Sequence, residues 1–143
     1  MQISDILRHK QDNHVWTIAP DASVRDLLSQ LADHHVGALI VSGADGHVTG
    51  IVSERDVVRH LQADGDAVLD GTVDQIMTRD VVHCAPGDAV PEVAALMTER
   101  RIRHLPVLDG GRLVGVVSIG DVVSSRIREL QQDRDQLERY VTG

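Results

Sequence analysis

The chain has 143 residues, 42% of them hydrophobic, and its only aromatic residues are Trp16 and Tyr140, so its core must be aliphatic. The formal net charge of −8 and the scarcity of aromatic rings argue against binding to duplex DNA or to single-stranded nucleic acid. With one cysteine, Cys84, and no apolar run near the roughly 18 residues of a membrane span, we predict a cytoplasmic protein without intramolecular disulfides.

The first half of the chain predicts a strand, a helix, a hairpin and a second helix, after a short amphipathic segment, ISDIL (3–7). The first helix starts near Asp21–Ser23, because apolar residues then recur on one helical face. That face consists of Val24, Leu27, Leu28 and Leu31. Two apolar runs, ALIV (38–41) and TGIVS (49–53), flank Asp45-Gly46, which is a strong hairpin signal. The second helix follows Ser53, and its apolar residues are Val57, Val58 and Leu61.

The second half repeats the first. VWTIAPDASVRDLLSQL (15–31) aligns with VVHCAPGDAVPEVAALM (81–97) at an offset of 66 residues, and GIVSERD (50–56) aligns with GVVSIGD (115–121) at an offset of 65. The repeated helix has Pro91 in its first turn, where proline is tolerated, and an apolar face of Val93, Ala94, Leu96 and Met97. Because units of about 60 residues seldom hold a core alone, we expect the copies to pack about a pseudo-twofold axis with two related clefts.

Two further segments complete the predicted organisation. The acidic stretch 63–80, whose first part is ADGDAVLDGT (63–72), is interpreted as a solvated linker. The last segment, SSRIRELQQDRDQLERYVTG (124–143), predicts a helix with a heptad-like seam that Arg134 interrupts. A solvated helix with pairs such as Asp135–Arg139 and a dimer contact both remain open. The seam consists of Ile127, Leu130, Leu137 and Val141. The predicted boundaries are therefore repeat 1 at 1–62, linker at 63–72, repeat 2 at 73–128 and extension at 129–143.

The repeated run Gly-apolar-apolar-Ser-x-x-Asp has three interpretations. A nucleophilic serine needs a base and an oxyanion hole, but neither serine has the small flanking residues of a hydrolase elbow, and no histidine lies near it in sequence. A serine followed three residues later by an acid is also a helix cap. The same helix N-terminus can bind phosphate, and a carboxylate one turn later can accept both hydroxyls of a ribose. The doubling of the run favours binding over catalysis.

These runs, together with RIRHLPVLDGGRLVGVVSIGD (101–121) and the Ala-Pro pairs at 19–20 and 85–86, resemble CBS domains, a tandem of which forms a Bateman module. The resemblance covers residues 1–127 and is weaker in the first copy, where VGALIV (36–41) stands in place of IRHLPV (102–107). It implies an α/β (α+β) fold in which each repeat has a small, mostly three-stranded sheet and two helices. It also implies a homodimer and adenosine-containing ligands: AMP first, then ADP, ATP, NAD(H) or S-adenosylmethionine.

The resemblance further implies two composite nucleotide sites. Ser53 and Ser118 would contact phosphate, while Asp56 and Asp121 would bind the ribose hydroxyls. The first site would combine Ile51, Ser53, Arg55 and Asp56 with Arg103, His104 and Leu105. The second would combine Val116, Ser118 and Asp121 with Thr17, Ile18, Gly37 and Ala38.

The two predicted sites differ in charge. Arg55 of the first site corresponds to Gly120 in the second, and Arg103 corresponds to Gly37. Since guanidinium groups neutralise phosphate charge, we expect the first site to prefer a more phosphorylated ligand and the second to take AMP or a nucleoside.

The remaining residues indicate no further chemistry. The eight histidines lack His-x-x-x-His spacing, so we expect no metal, and Cys84 is interpreted as a small buried hydrophobe. We therefore predict a non-enzymatic regulatory module for signal transduction that binds an adenine nucleotide and acts on a separate effector protein. The alternatives are a structural or dimerisation module that binds nothing, and a small hydrolase that uses Ser53 or Ser118.

Overall fold

The structure is a computed structural model that describes residues 1–10 and 15–142, in two compact units. The amino unit comprises residues 15–82 and 109–113, and the carboxyl unit comprises residues 1–10, 83–108 and 114–142. Residues 11–14 of the predicted first repeat and Gly143 of the predicted extension lie outside the described residues.

The helices are α1 (Ile3–His9), α2 (Val24–His34), α3 (Glu54–Asp64), α4 (Val90–Arg100) and α5 (Ile119–Thr142). The strands are β1 (Thr17–Ile18), β2 (Ala38–Ser42), β3 (Val48–Ser53), β4 (His104–Asp109) and β5 (Arg112–Ser118). Two short 3₁₀ helices cover Asp66–Asp70 and Val73–Gln75. Helices and small sheets thus alternate along the chain, which confirms the predicted α+β class.

The amino unit contains a three-stranded sheet. β1 is parallel to β2, and β2 is antiparallel to β3, with Gly46 in the left-handed region at the hairpin turn as its sequence predicts. Helix α2 begins after Ser23, whose Oγ accepts the Asp26 N–H at 3.0 Å. Val24, Leu27 and Leu31 are buried in the core, whereas Leu28, predicted on the same face, is exposed because the other three fill the inward side.

The stretch 63–80 does not form the solvated linker that its composition predicts. Its aspartates and glycines do mark turns, but the apolar residues between them enable the segment to fold onto the amino unit. Val68 and Leu69 pack partly buried against the core, and Val73 and Ile76 belong to it.

The short amphipathic segment that precedes each repeat in the sequence packs with the other repeat. In the carboxyl unit, the Ile3 N–H donates to the Asp88 carbonyl at 3.0 Å, so ISDIL packs with the second repeat. In the amino unit, the Val73 N–H donates to the Ala22 carbonyl at 2.9 Å, so the amphipathic segment that precedes the second repeat, VDQIM (73–77), packs with the first repeat. The two amphipathic pieces are therefore exchanged between the repeats.

The carboxyl unit has a two-stranded sheet of β4 and β5. Cys84 joins β4 through a single parallel bridge to Val107, so the predicted third strand is reduced to one bridge residue. Helix α4 buries Val93 and Met97 of its predicted apolar face, together with Val90, whereas Ala94 and Leu96 of that face are only partly buried.

Helix α5 joins the predicted helix after Ser118 and the C-terminal extension into one helix of 24 residues. Residues 130–142 are all exposed. Among the described residues of the extension, Arg134 pairs with Glu138 at 3.9 Å and Glu129 pairs with Arg126 at 3.1 Å, whereas the predicted Asp135–Arg139 pair does not form. No helix in the described part of the chain has the length and apolar composition needed to cross a bilayer.

Candidate functional site

Both copies of the repeated run form the same strand-to-helix corner. At the amino corner (Ser53–Asp56), Asp56 Oδ2 accepts the Ser53 N–H at 2.9 Å, and the Asp56 N–H donates to Ser53 Oγ at 3.3 Å. At the carboxyl corner (Ser118–Asp121), the same two bonds measure 2.8 and 3.0 Å. The capping box predicted from the sequence is therefore confirmed in both copies.

The first residue of each run is a glycine because the exchanged segment lies against the strand at that point. A Cβ added to Gly50 would lie 2.7 Å from Met77 Sδ and 2.8 Å from the Thr78 carbonyl oxygen. A Cβ added to Gly115 would lie 2.8 Å from Leu7 Cδ2. These glycines therefore serve packing within each unit, a role that sequence spacing alone did not indicate.

At the amino corner, the carboxylate of Asp56 is fully engaged, and its side chain is only 5% exposed. Besides the Ser53 N–H, Oδ2 accepts the Ser53 hydroxyl at 3.1 Å. Oδ1 accepts a hydrogen bond from Arg59 Nη2 at 2.7 Å and another from Thr78 Oγ1 at 3.4 Å. Thr78 is held in place by two backbone hydrogen bonds with Ile51, of 2.8 and 2.9 Å.

Neither Arg59 nor Thr78 is among the predicted site residues. Arg59 stands three residues after Asp56 on a helix, a spacing that does bring side chains together, so the sequence held a signal for this ion pair. Thr78 lies 22 residues from Asp56 and reaches it because segment 73–78 folds onto the amino unit, and no spacing rule predicts this contact.

At the carboxyl corner, the side chain of Asp121 is 22% exposed. Lys10 Nζ donates to Asp121 Oδ2 at 3.0 Å and to the Val116 carbonyl at 2.9 Å. Among the described residues, Oδ2 carries every hydrogen bond that the Asp121 carboxylate receives. Burial raises the pKa of Asp121, but the hydrogen bonds from Ser118 and Lys10 outweigh it, and the net pKa lies below its ordinary value.

The other predicted site residues are distributed between the two units. The amino unit holds Thr17, Ile18, Gly37 and Ala38 together with Ile51, Ser53, Arg55 and Asp56. The carboxyl unit holds Arg103, His104 and Leu105 together with Val116, Ser118 and Asp121. Each corner therefore has its own repeat's strand beside it, and the completion of each site by the other repeat stays a prediction.

Specific contacts place these strands beside the corners. The Gly37 carbonyl accepts the Glu54 N–H at 3.0 Å, and Ala38 pairs with Ser53 across β2 and β3. In the carboxyl unit, the Arg103 carbonyl accepts the Ile119 N–H at 2.9 Å.

The predicted residues differ in what they offer to a ligand. Arg55, Arg103 and His104 are exposed, so their side chains are free to reach an anion. Ile18 and Leu105 are buried and support the strands from within the core.

Cys84 is the small buried hydrophobe that the sequence predicts. Burial, with a smaller effect from Asp88, raises the pKa of its thiol to about 11. Within the described residues, no group of three His, Cys, Asp or Glu side chains is arranged to hold a metal ion.

Comparison with known proteins identifies the fold. The CBS domain family model matches residues 3–63 and 73–128. The mitochondrial CBS domain-containing protein CBSX3 of Arabidopsis thaliana is 33% identical over 149 residues, which cover 99% of this chain and 72% of that protein. The crystal structure of a CBS-domain containing protein from Agrobacterium tumefaciens is 39% identical, with a TM-score of 0.75, and the match covers 88% of this chain and 99% of that one.

Two similar solved structures contain adenosine compounds. CBSX2 in complex with AMP is 25% identical, with a TM-score of 0.74, and the match covers 89% of this chain and 96% of that one. The CBS domain pair of protein MJ0100, in complex with 5-methylthioadenosine and S-adenosyl-L-methionine, is 26% identical with a TM-score of 0.69; coverage is 89% and 98%. Because the family model matches both repeats, and these structures share the fold, the chain belongs to the CBS-domain family.

Proposed function

We propose that this protein is a regulatory module that binds an adenine nucleotide at its Ser–Asp corners. The observation that carries the proposal is the doubled corner, in which a hydroxyl and a carboxylate meet at the start of a helix. The N–H groups and the positive end of the helix dipole favour a phosphate, and a carboxylate accepts ribose hydroxyls. The AMP and S-adenosylmethionine complexes of similar structures support this assignment.

AMP is the ligand we propose first, because a similar solved structure holds it. ADP, ATP, NAD(H) and S-adenosylmethionine are the compounds to compare with it. Arg55 is exposed beside the amino corner, whereas Gly120 occupies the matching position of the carboxyl corner. This difference supports a preference of the amino corner for the more phosphorylated ligand.

We propose a binding role without catalysis for Ser53 and Ser118. Ser53 Oγ accepts the Asp56 N–H and donates to Asp56 Oδ2, so the helix cap engages the hydroxyl that a nucleophile would need free. The regulated effector would then be a separate protein. The cytoplasmic location stays a prediction from the single cysteine.

A thermal-shift panel with AMP, ATP, NADH and S-adenosylmethionine tests the proposal. At about 100 times its dissociation constant, a ligand that binds only the folded state stabilises it by about 2.7 kcal/mol. We expect a shift with at least one compound, and none with the double variant Asp56→Asn/Asp121→Asn, in which the amide can still accept the cap hydrogen bond. The absence of any shift would favour the structural alternative, and release of hydrolysed nucleotide would favour the hydrolase.

We also propose that the protein forms a homodimer through the apolar seam of helix α5. The apolar seam residues Ile127, Leu130, Leu137 and Val141 are all exposed, at heptad-like spacing. Analytical ultracentrifugation should give a dimer for the wild type and a monomer for Leu130→Glu. Gln131→Glu, which adds the same charge beside the seam, should remain dimeric, and a monomeric wild type would contradict the proposal.

A further inference from the structure

We infer that the two corners bind their ligands with unequal affinity, the carboxyl corner first, because Arg59 closes the amino corner from within its own helix. The inference rests on the proposed function, since it concerns the same two corners. It goes further by naming Arg59 as the residue that lowers ligand occupancy at the amino corner. Arg59 itself is not among the predicted site residues.

The amino corner is closed because every acceptor direction of its carboxylate is in use. A carboxylate offers about four lone-pair sites. At Asp56 these face four donors: the N–H and the hydroxyl of Ser53 on Oδ2, and Arg59 and Thr78 on Oδ1. A ribose diol can therefore reach this buried carboxylate only after a donor leaves.

Arg59 is the donor that can leave. Its side chain is 65% exposed, so the guanidinium can move into solvent without disturbing the core. Thr78 stays beside the carboxylate, because its backbone N–H and carbonyl both bond to Ile51. The bond from Arg59, at 2.7 Å, is charge-assisted, so its removal competes directly with ligand binding.

The carboxyl corner lacks this closure. The residue that corresponds to Arg59, at the offset of the repeated run, is Ser124, whose short side chain carries no charge. Lys10 occupies Oδ2 of Asp121, and Oδ1 receives no hydrogen bond from the described residues. With its side chain 22% exposed, Asp121 presents an acceptor to a ribose without rearrangement.

The effect of Arg59 on ligand binding can be distinguished from that of Arg55, because the two residues act on different parts of the ligand. Arg59 competes for the carboxylate and hence for the diol, so its effect should be equal for adenosine and AMP. Arg55 would act on phosphate, so its effect should grow with the number of phosphates. Nucleosides without phosphate therefore isolate the contribution of Arg59.

The test exchanges the two residues. Isothermal titration with AMP and with adenosine is carried out on the wild type, Arg59→Ser, Ser124→Arg and the double exchange. We expect a tight and a weak site in the wild type, with the tight one lost in Asp121→Asn and retained in Asp56→Asn. Arg59→Ser should strengthen the weak site by about tenfold or more, the scale of one charge-assisted hydrogen bond, and Ser124→Arg should weaken the tight site by a similar factor.

The outcomes are distinguishable. Loss of the tight site in Asp56→Asn, or unchanged affinities in both exchange variants while AMP still binds, would overturn the inference and leave the proposed function standing. If neither the wild type nor any variant binds an adenosine compound, the proposed function fails and the inference with it. Arg59→Ala serves as a second opening variant, and urea unfolding verifies that each variant is folded.

Discussion

Gly50→Ala should destabilise the protein more than Gly115→Ala, although the two glycines begin the same repeated run. Neither has a positive φ, so the substitution introduces no backbone strain, and the outcome depends on the space around the new methyl group. At Gly50 the methyl would lie 2.8 Å from the Thr78 carbonyl oxygen, and at Gly115 it would lie 2.8 Å from Leu7 Cδ2. The two contacts are equally short, but a backbone atom faces one methyl and the end of a flexible side chain faces the other.

The expected change in the free energy of unfolding depends on which atoms must move to make room for the new methyl group. Overpacking of a well-packed region costs roughly 1–3 kcal/mol, and replacing glycine recovers roughly 0.4–1 kcal/mol through the unfolded state. Thr78 is held by two hydrogen bonds to Ile51, so we place Gly50→Ala at the upper end, with a net loss of about 2 kcal/mol. The side chain of Leu7 can rotate, so Gly115→Ala should change the free energy of unfolding by less than about 1 kcal/mol.

Urea unfolding followed by far-UV circular dichroism measures these free energies, and the fluorescence of Trp16 reports on the amino unit. Double variants then identify the obstacle. Leu7→Ala should remove the cost of Gly115→Ala, whereas Met77→Ala should relieve only part of the cost of Gly50→Ala, since the Thr78 carbonyl remains. Equal losses in the two single variants, or full relief by Met77→Ala, would refute the reasoning.

Three further predictions concern burial and charge. The Cys84 thiol, with a pKa of about 11, should react with alkylating reagents far more slowly in the native protein than in urea. Since the thiol of the unfolded chain ionises first, the free energy of unfolding should fall as pH rises from 9 towards 11, and Cys84→Ala should lack that loss. Because the pKa of Asp121 is lowered from its ordinary value of 3.8, its carboxylate stabilises the folded protein at pH values above 3.8, and this stability is lost as pH falls through the folded pKa. The free energy of unfolding of Asp121→Asn, measured against pH, should lack this loss, and a pH dependence identical to that of the wild type would contradict the prediction. Ile6→Ala should lower the free energy of unfolding by about 2–5 kcal/mol, because this side chain of α1 is buried. Arg8→Ala, on the exposed side of the same helix, should change it by less than about 0.5 kcal/mol, and comparable effects of the two substitutions would argue against the packing of α1.

The features that the sequence predicted well are those whose partners are close along the chain. Ser53 and Asp56 are three residues apart, so the capping box follows from local geometry alone. The same is true of the turn at Gly46 and of the cap at Ser23, where one residue type satisfies one backbone requirement. The order of strands and helices followed because these local signals occur twice, and the fold class followed from the resemblance to CBS domains.

The features that the sequence did not predict depend on distant partners. Lys10 lies 111 residues from Asp121, and no spacing rule connects them. The exchange of the leading segments is likewise invisible in a linear comparison, because each amphipathic piece stands next to one repeat and packs with the other. The abundance of Asp and Gly in segment 63–80 suggested a solvent-exposed linker, but the burial of Val73 and Ile76 holds the segment against the core.

The two oxygens of each corner carboxylate have different tasks, which explains how one residue can support both the fold and a ligand. In both corners Oδ2 accepts the serine N–H and thereby completes the helix cap. Oδ1 takes no part in the cap, and its partners differ: Arg59 and Thr78 at Asp56, and no described residue at Asp121. Because the cap alone requires serine and aspartate at this spacing, the repeated run is not sufficient to identify a binding site. The neighbours of Oδ1 carry that information, and they differ between the two copies.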